Sequence, residues 1–219
     1  MNLKSFGCSF IFGSELNDDT GRLNPSQFTW PALLAQQIDR SYQCFATPGS
    51  GNLQILEQVL NQSAVSTSED LFVIGWTWID RFDYYDVNHD PKTNKNPWST
   101  IRPIDTSNLA KVYYKELHSE YWDKLNCLCY AKLAIDTLTQ KNIKFIMTYI
   151  DPLMFDTQWH ITPAVEDLQQ HVKPHMTTFD QLTFLEWSRS KGYSETDHWH
   201  PLEDAHKGAA NFLINHSLV

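Results

Sequence analysis

Cysteine is scarce in this chain. Cys8, Cys44, Cys127 and Cys129 are too few and too irregularly spaced among 219 residues to form a disulfide framework, and Cys127-x-Cys129 lacks the spacing of a zinc knuckle. Buried thiols are the expectation. Basic residues are in deficit, with 17 Lys and Arg against 26 Asp and Glu and a formal charge of -9. Such a surface offers no general attraction to a phosphate backbone, which argues against nucleic acid as a partner. Long apolar runs are missing too. No stretch approaches the roughly 18 consecutive apolar residues of a membrane span. The first eighteen residues hold one Lys and an apolar run broken by Gly7, Ser9, Gly13 and Ser14, without the layout of a signal peptide. A soluble chain in the cytoplasm is expected. Internal repeats, low-complexity tracts and linkers are likewise lacking.

What is present builds a core: 42% of the residues are apolar and 13% aromatic, sufficient for one α/β domain spanning 1–219. Asn2 to Cys8 reads as a strand. Pro25 to Arg40 reads as a helix, with Pro31 in its first turns and a stripe of Leu33, Leu34 and Ile38. Tyr42 to Ala46 is a second strand leading into Pro48-Gly49-Ser50-Gly51, and Asn52 to Asn61 has helical spacing. Leu71 to Trp76 is a continuous apolar run of the kind buried in a parallel sheet. From about 80 to 106 the chain turns polar and aromatic, with turn signals at Asp90-Pro91 and Asn96-Pro97, and reads as a long insertion. Asn108 to Gln140 reads as a long helix or a helix pair, and Ile143 to Tyr149 as a strand. An irregular excursion follows at about 155–178. Thr183 to Gly192 and Pro201 to Leu218 close the chain as helices. This alternation predicts a three-layer α/β/α fold with a doubly wound, flavodoxin-like, mostly parallel sheet. In such sheets ligands bind beyond the carboxyl ends of the strands, and Ser9, Gly49 and Thr77 each follow a predicted strand.

Two short segments at opposite ends of the chain carry chemistry: Gly7-Cys8-Ser9-Phe10 and Asp197-His198-Trp199-His200-Pro201. A hydroxyl is a poor nucleophile at neutral pH. It needs an imidazole to take its proton, and the imidazole needs a carboxylate to hold its tautomer and stabilise its charged form. Ser9, His200 and Asp197 supply those three groups. Alone, a serine after a strand is a helix cap or turn residue; the company of Asp197 and His200 makes Ser9 a candidate nucleophile. Alternation along the strand points Cys8 into the core instead.

These segments resemble the blocks of the SGNH/GDSL hydrolase superfamily. Gly-Cys-Ser-Phe stands where that family often has Gly-Asp-Ser. Asp197-x-x-His200-Pro201, followed by the Gly/Ala-rich stretch from Lys207 to Phe212, matches its final block. Gly49 is the best match for the second-block glycine, whose N–H helps to bind the oxyanion. The third block normally reads Gly-x-Asn-Asp, and here Gly75-Trp76-Thr77-Trp78 departs from it, so Thr77 takes the asparagine's place. The resemblance implies a carboxylic ester hydrolase with Ser9, His200 and Asp197 as catalytic residues, and an oxyanion hole from Ser9 and Gly49 with Thr77 or Asn52 as a further donor. It implies no cofactor. A small-molecule or carbohydrate ester, such as an acetyl or short acyl group on a sugar, is the implied substrate. The departure at Thr77 keeps open a second reading, a binding module for a glycan or a protein on a hydrolase scaffold.

The remaining signals each have two readings. Trp76, Trp78, Phe82, Tyr84, Tyr85 and Trp98 line an acyl or sugar pocket or pack under the insertion. Arg81 holds an anionic substrate group or pairs with Asp80 or Asp83. His198, Asp204 and His206 join Asp197 and His200 in a cluster whose spacing fits no common zinc motif. A hydrogen-bonded structural role is expected for His206, and no metal.

Overall fold

The computed structural model describes residues 1–87, 89–90, 92 and 96–216. Four parallel strands form the central sheet: β1 (Asn2–Phe6), β2 (Ser41–Cys44), β3 (Leu71–Trp76) and β6 (Lys144–Tyr149), in the order β2-β1-β3-β6. β3 lies in the middle and is buried along its whole length, which is why its sequence runs apolar without alternation. Between the strands lie α1 (Ser9–Phe12), α2 (Trp30–Gln37), α3 (Asn52–Val65), α4 (Asn108–Val112) and α5 (Glu120–Gln140); α6 (Pro163–Val172), α7 (Phe184–Ser190) and α8 (Glu203–Asn215) follow β6. Side chains on alternate sides of β3 enter two cores. Val73 packs with Leu3, Trp30, Leu34, Leu185 and Leu213 under α2, α7 and α8, whereas Phe72 and Ile74 pack with Val59, Leu128 and Ile135 under α3 and α5. The mixed α/β architecture with a helix-covered parallel sheet agrees with the sequence.

Both stretches that read as irregular carry regular structure. The insertion at about 80–106 holds an antiparallel hairpin, β4 (Phe82–Tyr85) with β5 (Trp98–Ile101). Pro91 of the expected Asp90-Pro91 turn lies outside the described residues. The excursion at 155–178 contains α6, opened by a Thr162 side chain that accepts from Val165 N–H and by Pro163 in the first turn. Of the long helix or helix pair expected over Asn108 to Gln140, the structure has the pair: a π-helical turn at Tyr113–Leu117 follows α4 and leads to an extended His118, after which Ser119 caps α5. The expected helix from Pro25 starts only at Trp30, and the terminal helix spans Glu203–Asn215, Leu218 lying outside the described residues. Among the described residues no helix is long and apolar enough to cross a membrane. Cys8 and Cys127 are buried free thiols as expected, but Cys129 is exposed.

Candidate active site

β1 ends at Phe6, and Gly7 turns the chain from the sheet directly into α1. A Cβ on Gly7 would fall 2.5 Å from Ile11 Cγ1, and one on Gly75 would fall 2.7 Å from the same atom. The two glycines therefore let Ile11 seat α1 against the ends of β1 and β3. That contact fixes Ser9, the first residue of α1, in a buried position at the carboxyl edge of the sheet.

The second half of the site comes from the loop before α8. Trp199 N–H donates to the Thr196 carbonyl and Thr196 N–H to the His200 carbonyl, with Trp199 in the left-handed region at φ +65. This tight turn leaves Asp197 and His198 exposed and carries His200 inward. His200 Nε2 lies 2.8 Å from Ser9 Oγ. The Phe10 ring packs edge-on against the imidazole, with centroids 5.2 Å apart.

The carboxylate on the other ring nitrogen is not the expected one. Glu15 Oε2 lies 2.6 Å from His200 Nδ1 and accepts from Thr196 Oγ1 at 2.6 Å, while Oε1 lies 2.6 Å from His198 Nδ1. Asp197 makes no hydrogen bond to the imidazole among the described residues, because the turn that delivers His200 swings Asp197 out to solvent. Burial works to raise the Glu15 carboxyl, but the hydrogen bonds from Thr196, His200 and His198 outweigh it and hold the group at about 2. His200 is lowered from its ordinary value by burial, an effect that Glu15 opposes. Glu15 escaped the sequence reading because it sits among Gly, Ser, Asn and Asp residues with no periodic signal. Its backbone adopts φ +70, which aims its side chain by local geometry rather than by a motif.

The other anticipated residues divide. Trp78 and Arg81 line a cleft of about 530 Å³ together with Ser9, Phe10, Arg102, Ile104, Trp199 and His200. Trp76 does not reach it: with Phe72 and Ile74 it points into the core under α3 and α5, and its indole N–H has no partner among the described residues. Asn52 is spent on structure. Its Oδ1 accepts from Thr77 N–H at 2.8 Å, and its Nδ2 donates to the Thr77 and Trp78 carbonyls and to Cys127 Sγ. Thr77 Oγ1 is buried without a partner among the described residues. The main-chain N–H groups of Ser9 and Gly49 donate to no other group among the described residues. Of the would-be metal cluster, His206 is fully buried and accepts from Trp30 N–H at 3.0 Å, far from a shared centre with the exposed His198.

No family model and no curated protein matches the sequence. Solved structures do. A lipolytic protein of the G-D-S-L family from Veillonella parvula is 14% identical, with a TM-score of 0.55 over 98% of this chain and 97% of that one. The psychrotrophic esterase EstA from a Pseudoalteromonas species is 11% identical, with a TM-score of 0.53 over 98% and 94%. A carbohydrate esterase family 2 enzyme with a carbohydrate-binding domain from Corynascus thermopiles is 13% identical, with a TM-score of 0.53 over 98% of this chain and 64% of that one. The chain therefore has the SGNH/GDSL hydrolase fold.

Proposed function

We propose that this chain is a serine ester hydrolase in which Ser9 is the nucleophile, His200 the general base and acid, and Glu15 the carboxylate that orients His200. The observation that carries the reading is the unbroken run of short contacts from Ser9 Oγ through both nitrogens of His200 to Glu15. His200, held neutral by burial, takes the Ser9 proton as Oγ attacks the ester carbonyl. Glu15, ionised at any ordinary pH, stabilises the imidazolium that forms. The tetrahedral oxyanion is held by the main-chain N–H groups of Ser9 and Gly49. His200 then protonates the leaving alcohol and activates the water that releases the acid. The carbohydrate esterase among the structural neighbours and the aromatic walls of the cleft, Trp78 and Trp199, support an acetyl or short acyl ester on a carbohydrate as substrate.

A fluorophosphonate probe tests this. It is expected to label Ser9 covalently, to leave Ser9→Ala unlabelled and to label His200→Ala much more slowly. Folded protein that takes no label would carry the competing reading, a glycan- or protein-binding module, which the lack of a third-block asparagine favours.

A further inference from the structure

Arg102 lies just past β5, and no sequence motif points to it. It reaches the cleft because the β4–β5 hairpin is clamped onto the start of α3. Asp83 of β4 accepts from the N–H groups of Gly51 and Gln54, each at 2.9 Å, and from Thr100 Oγ1 at 2.6 Å. Gly51 allows this approach, since a Cβ there would meet the Asp83 carboxylate at 2.7 Å. The hairpin thus delivers Arg102 to the turn that carries Gly49, so that a Cβ built on Gly49 would lie 3.8 Å from Arg102 Nη1.

The guanidinium is held along one edge only. Its Nε and Nη2 donate to Asp105, at 3.2 and 2.7 Å for Oδ1, and Asp105 in turn accepts from the Arg102 N–H at 2.8 Å. Nη1 donates to no group among the described residues. Arg81 on the same lining is turned the other way: its Nη1 donates to the Ser50 carbonyl at 2.9 Å, and Asp80 and Asp83 lie within electrostatic reach. Asp80 and Asp197 are the acidic members of the lining; Ser9, His198 and His200 are its other polar members, and Phe10, Trp78, Pro103, Ile104 and Trp199 form its apolar walls. A pinned guanidinium with one open edge, facing an aromatic cleft beside a nucleophile, is built to receive a planar anion.

We propose, on the strength of the hydrolase reading, that the ester substrate carries a carboxylate and that Arg102 Nη1 receives it. The chain's net charge of -9 repels anions at long range, so the selection is made by contact and not by steering. The carboxylate sits either on the acyl side, as in a monoester of a dicarboxylic acid, or on the alcohol side, as in an acylated uronic acid.

Calorimetric binding to the Ser9→Ala protein separates the cases. One pair of ligands is 4-nitrophenyl hydrogen succinate and its methyl ester, and the other is an O-acetylated glucuronic acid and its methyl ester. One charged ligand is expected to bind about tenfold more tightly than its neutral partner, the scale of one charge-assisted hydrogen bond. Arg102→Gln should erase that preference, and Arg102→Lys, which keeps the charge, should retain part of it. Equal binding within both pairs, or a preference that survives in Arg102→Gln, overturns the proposal. Turnover by the unaltered protein is measured separately. Preference without turnover upholds the carboxylate site and removes the hydrolase reading, and turnover without preference does the reverse.

Discussion

In the proposed mechanism Glu15 is the residue on which the chemistry of the site turns. Glu15→Gln keeps the size of the side chain and removes its charge. In an acyl-transfer triad, that loss costs on the order of a thousandfold or more in kcat. The same change at Asp197, exposed and unbonded to His200, should cost no more than about threefold. The pH profile distinguishes orientation from mere scaffolding. Burial lowers His200, so the acid limb of kcat/KM for the unaltered protein should fall below 6.5. Glu15 favours the protonated imidazole, so its neutralisation in Glu15→Gln should move that limb to lower pH still while the plateau drops. A limb that stays in place would mean that Glu15 does not act through His200. Thr77 makes the opposite case. Its hydroxyl is buried and has no partner among the described residues, so Thr77→Val should leave turnover unchanged and raise stability by about 1 kcal/mol, read from denaturant midpoints.

At the scale of elements, the site depends on two close approaches. Ile11 sits on Gly7 and Gly75, and Gly75→Ala forces a methyl into a 2.7 Å gap. Overpacking of this kind costs about 1–3 kcal/mol, and here it must also lift α1 and draw Ser9 away from His200. Probe labelling should therefore fall further than the loss of stability alone explains, which paired labelling and melting measurements would reveal. How much of this was legible in the sequence varied from element to element. β3 and the start of α3 were plain, because a buried central strand writes its environment as a continuous apolar run and a helix with one buried face writes it as a spacing. The serine and histidine were legible because their segments lie at strand and helix ends, where local chemistry and position coincide. The β4–β5 hairpin was not: its residues Phe82 to Tyr85 are held by Asp83 reaching across to α3, a tertiary contact without a local pattern. α6 did carry a signal in Thr162-Pro163, a cap followed by proline, but the His and Pro residues around it masked it. Glu15 was invisible for the same reason as the hairpin, since its partner lies 185 residues away.

Across the whole molecule, the packing of α8 on α2 places a histidine where it cannot ionise. His206 is fully buried between these helices, and burial pushes it down to about 3 against the opposing hydrogen bond to the Pro201 carbonyl. Its unfolded value is about 6.5, so between about 3 and 6.5 the unfolded chain binds a proton that the folded chain refuses. Stability should therefore rise with pH across that window and be lost as pH falls below 6.5. Asp123 works in the opposite sense. Burial raises its carboxyl above the usual carboxylate range, against the pull of His118 at 2.7 Å, so the folded chain holds a proton that the unfolded chain releases, and stability falls as pH rises above about 3.8. The net slope of the unaltered protein mixes the two. His206→Gln isolates one of them, because glutamine keeps an acceptor for the Trp30 N–H and does not titrate, while every carboxyl is common to both proteins. The variant should be the less stable at pH 7 through lost packing. That gap should then narrow by about 1.4 kcal/mol for each unit of pH between 6 and 4, the slope set by a single proton. Denaturant titrations at half-unit intervals would measure it, and parallel curves would mean that His206 is charged in the folded chain or that its site opens before the molecule unfolds.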